Sequence, residues 1–329
     1  MNAIFSLLIV GFLAILAMVG GPKFPTLFGI VIPYAAAAVF VAGVVYRIWG
    51  WAQSPVPFRI PTTAGQQNSL PWIKSDELDN PHGLPGVIAR MALEVLCFRS
   101  LFRNSRAELR EGAKVTYAES KWLWAAALVM HWSFLVIALR HVRFFLEPVP
   151  QVIMLTQYFD GLMQIGVPTL YATDMALVAA ATYLFLRRVF IPQLRYISLL
   201  ADYFPLFLIL GIAISGVIMR YFVKVDVIAV KELVLGLTGF GPSAPAGMGA
   251  IFFVHLLFAC VLFAYFPFSK LMHAGGVFLS PTRNLANNNR MQRHINPWNQ
   301  PVKVHTYEEY EDEFRDVMKA AELPLEKAE

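Results

Sequence analysis

Charge is what this chain has least of. Only 15% of its 329 residues are Asp, Glu, Lys or Arg, where a soluble domain carries about a quarter. With 57% hydrophobic residues and a mean hydropathy of +0.55, a soluble globular fold is excluded. Several apolar runs reach the roughly 20 residues that a helix needs to cross a bilayer. The net charge of +5 is therefore no nucleic-acid signal, because in a membrane chain basic residues matter by location. Cysteine is nearly absent. Cys97 and Cys260 stand far apart, and no CxxC or CxxCH occurs. That excludes covalent c-type haem, and it excludes an iron–sulfur cluster held by cysteines of this chain.

What is present is a set of long apolar runs. Six spans are expected, at about 3–19, 27–48, 122–145, 171–186, 199–219 and 248–268, the last continuing as helix to His273. The first lacks the basic n-region of a secretory signal, so it reads as a retained helix, with cleavage after Gly20-Gly21 as the alternative. Orientation follows from Lys and Arg. Ten lie between Arg47 and Lys121, three more are Arg187, Arg188 and Arg195, and Lys270, Arg283, Arg290 and Arg293 open the tail. With six spans these groups share one side, the cytoplasm, together with both termini. The expectation is an all-α integral membrane helical bundle in the cytoplasmic (inner) membrane. It divides into two N-terminal helices (1–49), a cytoplasmic loop (50–121), a four-helix core (122–273) and a cytoplasmic tail (274–329).

The loop begins irregular and proline-rich (Pro55, Pro57, Pro61, Pro71, Pro81, Pro85). From about 87 to 109, Met91, Val95, Phe98, Leu101 and Phe102 follow helical spacing with Arg99, Arg103 and Arg106 interleaved. That pattern predicts an amphipathic helix on the inner membrane surface. The stretch 151–169 is apolar but holds Asp160, Gly161, Gly166 and Pro168, so an outer interfacial segment is expected. The stretch 220–247 ends in Gly and Pro (Gly236, Gly239, Gly241, Pro242, Pro245) and suits a lid over the outer mouth. In the tail, Tyr307, Tyr310, Phe314, Val317 and Met318 again follow helical spacing, which suits docking onto a soluble partner.

The chemistry lies in the histidines. His82, His294 and His305 sit in polar segments, but His131 and His141 fall in the third span, His255 in the sixth, and His273 at its inner end. Polar groups inside a bilayer are costly and usually face the bundle interior. His131 and His141 are ten residues apart, about 15 Å of helix, and His255 and His273 eighteen, about 27 Å. The two spans run in opposite directions, so His141 and His255 share the outer half while His131 and His273 lie further in. Two bis-histidine sites stacked across the membrane follow, and neutral imidazole is a suitable axial ligand for haem iron. The unequal spacings require tilt or a distorted sixth helix near Pro267. Zinc is the chemical rival, but neither histidine-bearing span has an Asp or Glu in its apolar core. Phe134, Leu135, Phe252, Leu256 and Phe263 are candidate lining for a wide apolar slot, or ordinary packing and lipid-facing residues.

Arg140 and Arg143 flank His141 on the side poor in positive charge, so they suit haem propionates, a quinone headgroup or phospholipid. Asp174 and Lys224 are further candidates for proton handling at a quinone site.

The four histidines, with their ten- and eighteen-residue separations on two helices, resemble the cytochrome b subunit of respiratory nitrate reductase, the NarI-like family, over about 121–273. That resemblance implies His141 with His255 for the outer haem and His131 with His273 for the inner. The added first span, the long loop and the tail depart from it. The whole layout is similar to the DsrM family, the haem b subunits of the DsrMKJOP complexes, related to the cytochrome b of membrane heterodisulfide reductase. That resemblance implies two haem b groups, menaquinone as substrate, and a DsrK-like cytoplasmic iron–sulfur subunit as partner. It also implies DsrJ, DsrO and DsrP-like subunits, a DsrC trisulfide as terminal acceptor, and a place in sulfate respiration.

The function expected is an electron-transfer subunit of a membrane oxidoreductase, binding iron through haem and carrying electrons from menaquinol to a cytoplasmic iron–sulfur protein. A related heterodisulfide- or nitrate-reductase-type complex is the near alternative. Two readings of other classes are a transporter, which predicts paired charges or broken helices at the midplane, and a purely structural anchor.

Overall fold

The computed structural model describes residues 1–54, 72–74, 76–110, 112, 114–161, 168–243, 247–287 and 304–326. Of the residues singled out above, Pro55, Pro57, Pro61, Pro71, Gly166, Pro245, Arg290, Arg293 and His294 lie outside the described residues.

The chain is an all-α membrane helical bundle. Among the described residues, five helical stretches are long and apolar enough to cross a membrane: Asn2–Lys23, Leu27–Gln53, Lys121–Phe144, Leu200–Val223 and Ala250–Phe268. The first is α1 (Asn2–Lys23), and the second is a π-turn at Leu27–Val31 followed by α2 (Ile32–Gln53). Then come α3 (Leu84–Cys97) and α4 (Arg99–Phe102), a two-stranded antiparallel ribbon of β1 (Ser105–Arg110) and β2 (Lys114–Glu119), and α5 (Lys121–His141). A short helix, α6 (Gln151–Asp160), precedes α7 (Ala172–Phe190), α8 (Pro192–Ile197) and α9 (Leu200–Val217). The rest is α10 (Val227–Thr238), α11 (Ala250–Tyr265), α12 (His273–Leu279), α13 (Pro281–Asn284) and α14 (Tyr307–Ala320).

The fourth expected span is α7, which is too polar to count among the five apolar helices. Its 19 residues nevertheless cover about 28 Å. Its charges sit at the ends, with Asp174 in the first turn and Arg187 and Arg188 in the last, as the helix dipole favours.

Two sub-bundles make the body. In the first, α1 lays a stripe of small or slim residues (Ser6, Val10, Ala17, Gly21) against α9 and α11. Helices in a membrane associate by such close backbone approach, since lipid is as apolar as a leucine side chain. A methyl added at Gly21 would meet Phe253 at 2.3 Å, and one at Gly43 of α2 would meet Pro267 at 2.7 Å. Phe253, Leu208, Phe258 and Leu257 fill the centre. α10 joins this core through Leu233, and its N-terminus is capped by Asp226, which accepts from the Ile228 and Ala229 amides. The second sub-bundle is α5 packed on α7, and α7 in turn packs on α9. The histidine-bearing helices α5 and α11 thus belong to different sub-bundles.

Two expectations change. The amphipathic helix over 87–109 ends at Cys97, because Phe98 turns left-handed at φ 51. A single helical turn follows, and Ser105–Arg110 pairs with Lys114–Glu119 as a ribbon. Its three-residue connection carries Gly112 at φ 81, a conformation that glycine adopts without steric cost. The 151–169 stretch, expected as an outer interfacial segment and not a span, holds the ten-residue α6, too short to cross a bilayer. Finally, the sixth span does not run on as helix to His273. It gives way to a 3-10 turn at Phe266–Phe268 and an extended Ser269, then a second 3-10 turn at Lys270–Met272. Proline at 267 and the Ser269 side chain, which accepts from the Leu271 amide at 3.1 Å, set this break.

Candidate functional site

The break at Ser269 decides where His273 stands. As continuous helix, eighteen residues would place His273 about 27 Å from His255, far beyond the reach of a helix whose histidines are ten apart. The break at Ser269 frees His273 from the line of a single straight helix. The rings of His131 and His273 lie 6.1 Å apart between centroids, with planes at 76°. Those of His141 and His255 lie 6.2 Å apart, with planes at 13°. The four histidines therefore form two facing pairs, each with one ring from the α5 side and one from the α11 side. Among the described residues, no group of three or more His, Cys, Asp or Glu comes together as a metal-ion site.

Each ring is held by its Nδ1. That atom lies 2.7 Å from Ala127 O in His131, 2.7 Å from Ile137 O in His141 and 2.7 Å from Lys270 O in His273. In His255 it lies 2.9 Å from Ser215 Oγ and 3.1 Å from Ile212 O. A backbone carbonyl only accepts, so Nδ1 carries the proton and Nε2 keeps its lone pair. A hydrogen bond at the second nitrogen is what fixes tautomer and ring direction in metal-ligating histidines.

The residues expected to line the slot differ in exposure. Phe252 is buried, and Phe134, Leu135 and Phe263 expose part of their side chains. The edge of Phe98, at the left-handed joint between α3 and α4, meets His131 at 5.0 Å. The α3 C-terminus is pinned to α5 by two indole donors: Trp124 Nε1 to Cys97 O at 2.7 Å and Trp132 Nε1 to Leu96 O at 3.0 Å. Cys97 itself is exposed and Cys260 buried.

At the other end, Arg140 is not free. It is 7% exposed. Its Nε lies 3.1 Å from Asp160 Oδ2, outside hydrogen-bond alignment, and its Nη2 donates to Asp174. Its guanidinium also stacks 3.9 Å from the centre of the Tyr171 ring. Asp174 accepts in addition from Tyr221 Oη at 3.0 Å. Arg143 is half-buried and lines a cleft of about 270 Å³ with Phe144, Val149, Met154, Gln157 and Lys231. Lys224 is exposed at φ 49, just past the π-turn Ile218–Val223, and stands apart from the Arg140 contacts. Sequence reasoning passed over Asp160, Tyr171, Ser215, Arg220 and Tyr221. Of these only Asp160 left a signal, as a carboxylate in an otherwise apolar stretch.

The result is a multi-pass membrane protein with two facing histidine pairs between helices of different sub-bundles. Residues 86–294 match the nitrate reductase gamma subunit family, to which this chain belongs. It is 47% identical over 279 residues, 83% of each chain, to the Hdr-like menaquinol oxidoreductase cytochrome b-like subunit of Archaeoglobus fulgidus. Identity to the subunit of the same name from Archaeoglobus profundus is 40% over 274 residues, 81% of each chain.

Proposed function

We propose that this chain is a di-haem cytochrome b subunit carrying electrons from membrane menaquinol to an iron–sulfur subunit on the cytoplasmic face. The observation that carries the reading is the pair of facing imidazole couples, each ring with Nδ1 tied off. A haem iron between the rings of each pair would take one imidazole nitrogen from either side, and centroid separations of 6.1 and 6.2 Å leave room for one. α5 and α11 face each other across the boundary of two sub-bundles, and that boundary suits a flat macrocycle. His141 and His255 are the proposed ligands of the outer haem, and His131 and His273 those of the inner.

Haem supplies the one-electron chemistry, and the protein supplies position and electrostatics. The Nδ1 bonds to Ala127, Ile137, Ile212 and Lys270 carbonyls orient the rings and raise their basicity. Menaquinol is the proposed donor because the relatives are menaquinol oxidoreductase subunits. Its proposed site is the outer end, where Arg143 lines a cleft beside Phe144 and Asp174 is a proton acceptor held in place by Arg140 and Tyr221. The electron acceptor is a DsrK- or heterodisulfide-reductase-like subunit docking near α3, α4 and the tail. The similarity of layout to the DsrM family supports a place in dissimilatory sulfur metabolism, beside DsrJ, DsrO and DsrP-like partners.

The test is a redox difference spectrum of the purified complex, with each histidine changed to leucine in turn. Two b-type haems are expected in the unmodified protein. His141→Leu and His255→Leu should remove one and the same component, and His131→Leu and His273→Leu the other. A single haem, or pairs that fall out differently, refutes the reading.

A further inference from the structure

One group of charges lies beyond the histidines and their direct supports. Arg140 immediately precedes His141, and it joins four segments that are distant in sequence. Asp160 closes α6 and is 7% exposed. Besides its contact with Arg140 it accepts from the Thr173 amide at 3.0 Å and from Thr173 Oγ1 at 2.7 Å. Tyr171 donates its amide to Tyr221 Oη at 3.0 Å, and that hydroxyl donates to Asp174. Arg220, in the π-turn after α9, stacks 4.0 Å from the same Tyr171 ring as Arg140 and donates to Thr169 O at 3.0 Å.

The group holds two guanidinium ions and two carboxylates, so its formal charge is zero. Taking charge out of water is costly unless it is paired, and little water remains around Arg140 and Asp160. An uncompensated charge in such a place acts at longer range than one at a wet surface. Next to an iron that changes charge by one on each cycle, balance decides which oxidation state is favoured. A surplus positive charge disfavours the ferric state and raises the reduction potential, and a surplus negative charge lowers it.

We propose that Asp160, Asp174, Arg140 and Arg220 form a charge-balanced positioning group that sets the reduction potential of the outer haem. It acts through His141, whose helix end it fixes, and Asp160 and Arg220 touch neither ligand ring. This rests on the di-haem reading above. The inner pair lies about 15 Å away along α5 and feels the group less.

The experiment is a potentiometric titration of the purified, haem-loaded complex, following each haem separately. Asp160→Asn leaves one surplus positive charge and should shift the outer haem upward. Arg220→Gln leaves one surplus negative charge and should shift it downward. The double variant is neutral again and should return the potential towards that of the unmodified protein. In all three the inner haem should move less than the outer. A merely structural role predicts lowered stability with shifts that do not follow the sign of the charge. Shifts of the same sign in both single variants, no shift with both haems bound, or a double variant that fails to cancel would overturn the proposal. If Asp160→Asn does not assemble, Arg220→Gln and the double variant decide it by the same criteria. An unmodified protein with one haem overturns the parent reading instead, so the two failures are told apart before any variant is made.

Discussion

Gly11 and Gly21 lie on one helix, α1, and the structure assigns opposite outcomes to the same substitution at each. A methyl at Gly21 would sit 2.3 Å from both Cβ and Cγ of Phe253 and 2.7 Å from its Cδ2. Carbon atoms in contact prefer about 3.5–4.0 Å, so the seam between α1 and α11 must open by more than about 1 Å. Phe253 is 1% exposed and has nowhere to turn. Overpacking typically costs about 1–3 kcal/mol, and a shortfall this large belongs at the upper end. Against that, replacing a helical glycine by alanine gains up to about 1 kcal/mol from reduced backbone freedom. Gly21→Ala should therefore destabilise by about 2 kcal/mol. At Gly11 nothing lies within 4 Å of the added methyl, so Gly11→Ala keeps the gain and should stabilise by up to about 1 kcal/mol. The difference of about 3 kcal/mol isolates packing from propensity. Thermal unfolding of the detergent-solubilised protein, with both variants side by side, reads it directly. If Gly21→Ala proves at least as stable as Gly11→Ala, the close α1–α11 seam is wrong.

Two further outcomes concern the segments outside the membrane spans. Asp79 receives Arg99 and Arg103; the Arg99 hydrogen bond, more than any other single contact, lowers its carboxyl from 3.8 to about 2. A depressed carboxylate stabilises the fold above its ordinary range and loses that contribution as pH falls through the folded value. Contact between residues 76–80 and α4 should therefore loosen between about pH 4 and 2, read as faster amide exchange there, and Asp79→Asn should abolish that pH step. In α14, Glu311 is fully buried and accepts from Arg315 Nη1 and from the Glu326 amide, both at 2.8 Å. Glu311→Ala removes the buried carboxylate that holds Arg315 and the Glu326 amide, at a cost of about 1–3 kcal/mol. Limited proteolysis should then cut between Ala320 and Glu326 sooner than in the unmodified chain, and an unchanged cleavage rate would contradict the burial of Glu311.

Much of the fold was legible because a bilayer leaves few choices. Backbone groups in lipid must bond internally, so long apolar runs become helices, and 122–145 and 248–268 did so within a few residues. The tail helix was equally legible, since Thr306 and Glu309 form a capping box at its start. The helix expected over 87–109 failed for a local reason. Helical periodicity continued through Phe98, but a single left-handed residue ended the helix, and no glycine or proline marked the stop. Asp174 and Arg140 stood out as charges near the membrane, yet their mutual pairing was hidden, because 34 residues separate them and only the packing of α5 on α7 brings them together.

Read residue by residue, the chain already declares a membrane protein and the runs that become helices, and it singles out four histidines on or near two of them. Composition and period carry that information, because the solvent judges each residue locally. Only the tertiary structure decided how His273 reaches its neighbour. The chain breaks at Ser269, so a spacing of eighteen residues meets a spacing of ten. It also decided that Arg140 is enclosed by Asp160, Asp174 and Tyr171. Those are relations between segments, set by how two sub-bundles pack, and no single stretch of sequence contains them.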